Sequence, residues 1–328
     1  MKRLFNAHMY LMTILACSMV PAHSQQASFP EKPIRIVVGS EAGSAPDVLA
    51  RAIAKEMGSL LPQSVIVENK PGATGTIGAA AVAAAPADGY TLLMGTVSNI
   101  ALAPAFYPIK YKPLTSFTPI SMVASVPLML VVSAETGVTN MQQLRAKLSE
   151  SGVETSYSYA SPGIGGPQHI AGILLGKELK TKMLHVPYKS GGAALVGLAG
   201  GETQLAFAGI PAALPLLQTK RILPLFVTSK TRSPAAPSVP SATEVGLPDF
   251  DVDNWHALFA PAGLPQGVRA VLEATVAKSL QVPELRKQFE KLGALATAST
   301  GSDLADKVAR ETLRWSKIAK DSDAGKAN

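Results

Sequence analysis

Residues 34–57 read Ile-Arg-Ile-Val-Val-Gly-Ser-Glu-Ala-Gly-Ser-Ala-Pro-Asp-Val-Leu-Ala-Arg-Ala-Ile-Ala-Lys-Glu-Met. The first five are almost all β-branched, which favours a strand. Gly39 to Ser44 are small, apart from Glu41. Helical spacing resumes at Val48, and Ser44-Ala45-Pro46-Asp47 fits a capping box with Ser44 at the N-cap and Asp47 at N3. A strand, a small-residue turn and a helix make the repeating unit of an α/β layer. The turn holds a single carboxylate, Glu41, whose purpose the rest of the chain must explain.

The same pattern recurs. Apolar runs at Ser64–Glu68, Tyr90–Met94, Leu128–Val132, Ser156–Ala160, Met183–Val186, Gln204–Phe207 and Leu223–Thr228 read as strands. Most are continuously apolar, as strands covered on both faces are. Helical patterns lie between them at Ile77–Ala85, Asn140–Ser149, Gln168–Leu179, Ala193–Ala199 and Ala212–Gln218. Thr139-Asn140-Met141-Gln142 reads as a second capping box, and a C-terminal helix begins near Ser302 with a stripe of Leu304, Val308, Thr312, Trp315 and Ala319.

Two segments divide the chain. Phe117–Val132 holds two apolar stretches around Pro127 and suits a strand passing from one lobe to another. Asn254-Trp255-His256-Ala257-Leu258-Phe259-Ala260 suits the return, after a Pro- and Ser-rich surface connection at Ser229–Pro248. The expected fold is α/β with two lobes, each a mainly parallel sheet flanked by helices, around a cleft. Residues 25–125 with 245–328 form the first lobe and 126–244 the second.

The N-terminus stands apart. Lys2 and Arg3 precede the apolar run Met9–Ala16, and Ala22-His23-Ser24 is a small-x-small cleavage site. Residues 1–24 thus read as a secretory signal peptide and place the mature chain in the periplasm. In the alternative, Ile14-Leu15-Ala16-Cys17 is a lipoprotein site and Cys17 carries a lipid anchor, although Leu15 fits that pattern poorly. Cys17 is the only cysteine, so the mature chain has no disulfide and no thiol chemistry. The formal charge is +7 for the whole chain and falls to +5 without Lys2 and Arg3. The basic residues are scattered, unlike those of a nucleic-acid-binding face.

Small-residue loops follow several strands. Besides Gly39–Ser44 there are Gly72–Gly78, Gly95–Asn99, Ser161–Pro167 and Ser190–Gly192. Each sets glycine and hydroxyl groups before a helix start, where unpaired N–H groups and the helix dipole favour an anion. In open α/β sheets such loops gather at the carboxyl ends of the strands. One such loop is an ordinary connection; several point to a cleft that holds a carboxylate. Enzyme motifs are missing. There is no G-x-G-x-x-G after a strand, no phosphate loop and no nucleophile elbow. His169, His185 and His256 have no metal-ligand spacing, and no general base pairs visibly with a hydroxyl nucleophile.

Five segments in order carry a resemblance: Pro30–Ile34, Val67–Ala73, Asp88–Thr96, His185–Lys189 and Leu258–Gly263. From about Phe29 to about Lys320 the chain resembles the periplasmic substrate-binding proteins of tripartite tricarboxylate transporters, the Bug family. The resemblance implies a two-lobed binding protein that traps a small organic acid and presents it to membrane permease subunits, or to a sensor kinase. The expectation is a monomer with no catalytic residues, cofactor or metal; the rival reading is an exported enzyme that uses the same cleft. Its carboxylate loops fall here on Ser40, Glu41, Ala42, Gly43 and Ser44, with Asp47 capping the helix, and on Ser161, Gly163, Gly165, Gly166 and His169. Thr96 and Ser98 belong to the same rim. The chain departs from the family at Gly39–Ser44, where a Pro- and aromatic-rich loop is usual, at Gly166 in place of Thr or Ser, and at Ala208 in place of Asp. Glu41 either points to solvent or to a lysine on the rim, or faces the cleft against a cationic group of the ligand. The second case excludes citrate and favours an amino acid or nitrogen-bearing monocarboxylate.

Overall fold

A computed structural model describes residues 29–150 and 154–321. The signal-peptide reading and Cys17 lie outside the described residues. Two separate sheets form, each between layers of helices. The first holds β1 (Ile34–Val38), β2 (Val65–Asn69), β3 (Thr91–Thr96), β4 (Phe117–Ser125), β10 (His256–Pro261) and β11 (Leu295–Ala296), in the order β11-β4-β10-β3-β1-β2. The second holds β5 (Leu128–Ser133), β6 (Glu154–Ser161), β7 (Lys182–Pro187), β8 (Leu205–Gly209) and β9 (Ile222–Val227), in the order β7-β6-β8-β5-β9.

The helices are α1 (Ala45–Leu60), α2 (Thr76–Ala83), α3 (Ala103–Phe106), α4 (Met141–Glu150), α5 (Pro167–Glu178), α6 (Gly191–Ala199), α7 (Ile210–Gln218), α8 (Gln266–Ser279), α9 (Pro283–Lys291) and α10 (Gly301–Asp321). One face of the first sheet buries Ile34, Ile36 and Leu92 against Leu49, Ile53 and Met57 of α1, Leu272 and Val276 of α8 and Phe289 of α9. The other face packs Val37, Leu93 and Phe259 against α2 and α10, including Val308 and Trp315. In the second sheet Met129, Val131 and Ala206 meet α6 and α7 on one side. Leu130, Val132 and Phe207 face the side covered by α4 and α5. Burial on both faces accounts for the unbroken apolar runs.

The sheets are mixed, which corrects the expectation of mainly parallel ones. β1 is parallel to β2 and β3, but β10 runs antiparallel to both β3 and β4. β6 is parallel to β7 and β8, whereas β5 runs against β8 and β9. The reversed strands are β5 and β10, which follow the two crossings, and the short β11, which runs against β4. A strand covered on both faces reads as apolar in either direction, so its sequence does not record which way it runs.

The two expected crossings lie side by side. Between β4 and β5 only Val126 and Pro127 intervene. The return strand pairs with them through the bridge Pro127–Asp253. Val126 N–H donates to Asp253 Oδ1 at 2.8 Å, and Asn254 N–H donates to Val126 O at 3.2 Å. The C-terminal helix braces this crossing. Arg314 donates to the carbonyls of Asp251 and Asp249, and Trp255 Nε1 donates to Glu311 at 2.7 Å. Burial holds Asp253 above the usual carboxylate range, at about 6, against the pull of Lys307.

Candidate functional site

The turn after β1 is built by glycine and hydroxyl chemistry. Ser44 N–H donates to Glu41 O at 3.2 Å, and Gly43 sits between them at φ +81°. A positive φ at that place suits a type II turn and favours glycine. Ser44 is the N-cap of α1, but its hydroxyl bonds no helix N–H: it donates to Glu41 O and meets Ser40 Oγ, each at 2.6 Å. Asp47 does not complete the expected capping box. Its Oδ2 accepts from Gly43 N–H at 2.9 Å and Arg51 Nε at 3.0 Å, and its Oδ1 accepts from Asn69 Nδ2 at 2.8 Å. Asn69 also donates to Ser40 O. The buried carboxylate therefore ties the turn to α1 and β2 at once. Burial alone would raise its pKa, but the hydrogen bonds from Arg51, Gly43 and Asn69 hold it below the usual range. The second capping box is displaced by one residue: Gln143 N–H donates to Asn140 Oδ1, and Gln143 Oε1 accepts from Thr139.

Why Gly39 is a glycine follows from the neighbouring loop. A Cβ there would lie 2.6 Å from Gly75 Cα and 2.7 Å from Gly75 O, both backbone atoms. Gly75 and Gly78 let the second loop pack onto the first, since a Cβ on them would lie 3.2 Å from Gly39 O and 3.1 Å from Gly39 Cα.

These loops enclose a cavity of about 420 Å³. From the first lobe it is lined by Gly39, Ser40, Glu41 and Pro46, by Pro71, Gly72, Thr74 and Gly75, and by Thr96, Ser98 and Asn99. Asn254 and His256 line it from the return crossing, and Pro167 and Gln168 from the second lobe. Four helix starts border it: α1, α2, the helical turn Val97–Leu102 leading into α3, and α5. Thr96 caps the third reciprocally, its hydroxyl accepting from Asn99 N–H while Asn99 Oδ1 accepts from Thr96 N–H at 2.8 Å. Among the described residues lining the cavity there is no Lys or Arg, and Glu41 is the only carboxylate.

The structure brings Ser40, Glu41, Thr96 and Ser98 together around this space. Ala42, Gly43, Ser44 and Asp47 lie outside its lining. So do Ser161, Gly163, Gly165, Gly166 and His169, although Gly166 is the N-cap of α5 and directly precedes the lining Pro167 and Gln168. Behind that loop, His169 Nδ1 accepts from Gly165 N–H at 3.1 Å, and the His169 ring packs at a tilt against His185 with 4.1 Å between ring centroids. Ser161 Oγ meets His185 Nε2 at 2.6 Å, so a hydroxyl does stand beside an imidazole, which the sequence did not disclose. Ser161 is fully buried and its hydroxyl also closes a turn with Gly163 N–H and O. The pair braces the loop and does not face the cavity. Burial lowers His169 to about 3, with help from His185, and His185 to about 4. Asn254 and His256 were missed as lining residues because their segment reads only as an apolar crossing.

The two lobes touch at the rim. Tyr107 Oη donates to Ile164 O at 2.9 Å, and the Phe106 ring lies 6.1 Å from that of His169.

Comparison with known proteins adds kinship to this geometry. The model of the tripartite tricarboxylate transporter family receptor, TctC, matches residues 49–323. The chain is 30% identical over 315 residues to the protein BugT of Bordetella pertussis, covering 94% of this chain and 95% of that one. The structure of MatC from Rhodopseudomonas palustris with bound malate superposes with a TM-score of 0.72 at 32% identity, covering 89% of this chain and all of that chain. The structure of Rpa4515 from R. palustris with adipate gives 0.75 at 31% identity, covering 91% of this chain and 98% of that one.

Proposed function

This chain belongs to the tripartite tricarboxylate transporter receptor family, and on that premise we propose that it is a periplasmic solute-binding protein for a small organic acid carrying one carboxylate and a nitrogen, such as an amino acid. It delivers the ligand to the membrane subunits of a tripartite transporter and performs no chemistry on it. The lobes, residues 25–125 with 245–328 and residues 126–244, close on the ligand by a hinge at the paired crossings.

The observation that carries the ligand class is the charge of the cavity. Helix starts offer N–H groups and positive dipole ends to one carboxylate. Beyond them the lining has Glu41 and no Lys or Arg. Glu41 is among the lining residues and makes no ion pair among the described residues. A second carboxylate on the ligand would meet that charge without compensation, and the repulsion grows as closure expels water. A ligand ammonium would instead be attracted. Malate and adipate, bound by MatC and Rpa4515, are dicarboxylates; the prediction is that this cleft differs from theirs.

The test is a thermal-shift panel of amino acids, pyridine carboxylates, dicarboxylates and tricarboxylates on the purified mature protein, repeated with Glu41→Gln. A ligand at 100 times its Kd adds about 2.7 kcal/mol of stability. The proposal expects nitrogen-bearing monocarboxylates to shift the wild type, and Glu41→Gln to narrow their advantage over the deaminated analogues. Preference for dicarboxylates in the wild type, or an unchanged ratio in Glu41→Gln, would sink the assignment of the class.

A further inference from the structure

Among the described residues, four that are not glycine have a positive φ: Ala73, Thr74, Lys180 and Lys220. Lys180 and Lys220 each follow the C-cap of a helix, α5 and α7, where the left-handed conformation is a common ending. Ala73 and Thr74 end no helix. They are the middle of Gly72-Ala73-Thr74-Gly75, whose φ angles are +123°, +46°, +58° and +87°, so the chain turns left-handed over four residues in a row. The turn is held by Gly75 N–H donating to Gly72 O at 2.9 Å, by Thr76 Oγ1 donating to Ala73 O at 2.8 Å, and by the packing of Gly75 on Gly39. Glycine has a steric reason at either end: a Cβ would lie 2.6 Å from Ile77 Cδ1 at Gly72 and 3.0 Å from Asn99 Nδ2 at Gly75. In the middle glycine would be the unstrained choice. The chain has a β-branched residue there instead, Thr74, at φ +58° and ψ +26°. Such a residue in the left-handed region is a true outlier, and strain of this kind gathers where ligands are held.

Thr74 is exposed and lines the cavity, and its hydroxyl makes no hydrogen bond among the described residues. The lining has no Lys or Arg, so neutral donors must meet a ligand carboxylate. Four hydroxyls are available, on Ser40, Thr74, Thr96 and Ser98. Ser40 is engaged with Ser44, and Thr96 with Asn99 N–H. Ser98 lies in helical backbone. Thr74 alone holds its place against the preference of its own backbone.

We propose that the Thr74 hydroxyl donates a hydrogen bond to the ligand's carboxylate, and that the left-handed turn carries it to the cavity at the expense of stability. This rests on the reading of the cleft as a carboxylate site and is separate from the role given to Glu41. Removing the Thr74 hydroxyl weakens every acid that binds by a similar factor. Removing the Glu41 charge changes the preference among them.

The experiment is calorimetric titration of the mature protein with one probe from each class, L-alanine, nicotinate, malate and citrate, beside the ligand-free Tm of every variant. Thr74→Val keeps the branched shape and removes the hydroxyl. The Kd of each probe that binds the wild type should rise about tenfold, with Tm within about a degree of wild type. Thr74→Ser keeps the hydroxyl and should bind within about twofold of wild type. Thr74→Gly should lose affinity as Thr74→Val does and yet melt roughly 2 °C higher, because glycine accepts the turn. Ala73→Gly should also melt higher and leave Kd unchanged, since its methyl group makes no hydrogen bond. The opposite signs of the two effects in Thr74→Gly are what a merely structural residue would not give. A Kd within about twofold of wild type in Thr74→Val, a Thr74→Ser as weak as Thr74→Val, or a Thr74→Gly that melts no higher than wild type would overturn the proposal. If none of the four probes binds the wild type, the carboxylate reading itself fails and this inference falls with it.

Discussion

Replacing Asp47 with Asn separates two roles that its sequence position alone does not distinguish. As a capping residue it would stabilise one helix by about 1 kcal/mol. The structure gives it more to do. Its side chain is 2% exposed and accepts from Gly43 N–H, Asn69 Nδ2 and Arg51, whose Nη2 lies 3.0 Å from Oδ1. An amide would turn an NH₂ group towards one of these donors. Hydrogen bonds to a charged group contribute about 1.5–3 kcal/mol each. Arg51 is half exposed, so its share is discounted. The expected loss is about 3 kcal/mol, which for a chain of this size lowers Tm by roughly 5 °C. The pH dependence follows from the sign of the shift. The folded pKa lies below the ordinary value, so the contribution is present in full above that value and is lost as pH falls through the folded one. Scanning calorimetry of wild type and Asp47→Asn should show a constant gap near neutrality that narrows as the pH approaches 3. The ligand's Kd should rise as well, because the turn carrying Ser40 and Glu41 loses its tether. A variant melting within about a degree of wild type at pH 7, or a gap unchanged by acid, would refute the tether.

Three further outcomes follow. Asp253 has its folded pKa raised to about 6, so the fold gains most from this group below pH 4 and loses that gain as the pH climbs through 6. Asp253→Asn should flatten urea-unfolding stability between pH 4.5 and 7.5, by about 3 kcal/mol at most, and an unflattened profile would count against it. Tyr107→Phe deletes the bond across the rim to Ile164 O; titration should give a Kd up to about fivefold higher with little change in ligand-free Tm. Gly39→Ala sets a Cβ against the Gly75 backbone and should cost more than about 2 kcal/mol, whereas Gly191→Ala, at a position with open space, serves as its control.

Much of the architecture was legible because it rests on local pattern. The strand, turn and helix over residues 34–57 appear as β1, a turn and α1. The break at Pro127 marks the passage between sheets. Two helices, α8 and α9, were not anticipated, although their buried faces follow helical spacing at Leu272, Thr275, Val276 and Ser279, and at Leu285 and Phe289. That signal was present and unread. The short helix Val97–Phe106 is different. It opens as a π-helical turn with Pro104 close behind, so its period is not the one a helix search uses. Strand direction left no trace in the buried strands for the reason already given. The contact of His169 with His185 joins α5 to β7 and depends wholly on tertiary folding.

The site divides along the same line. Loops where backbone must approach backbone show themselves through glycine, since no other residue leaves the room: Gly39 against Gly75 is such a place. Residues that reach the cavity from a strand do not, because alternation says only that Asn254 and His256 share a side and not which side the cleft is on. A crossing between lobes is continuously apolar by need, so two polar residues within Asn254–Ala260 are the anomaly that could have been noticed. Polar side chains in a buried strand cost stability unless something pairs with them. Trp255 has its partner in Glu311, and Asp253 has Val126 and Lys307. The His256 ring has the Asn254 backbone. Glu41 stood out in the same way: a lone carboxylate among small residues, it lines the cavity, and Glu41→Gln is the variant that tests what it meets there.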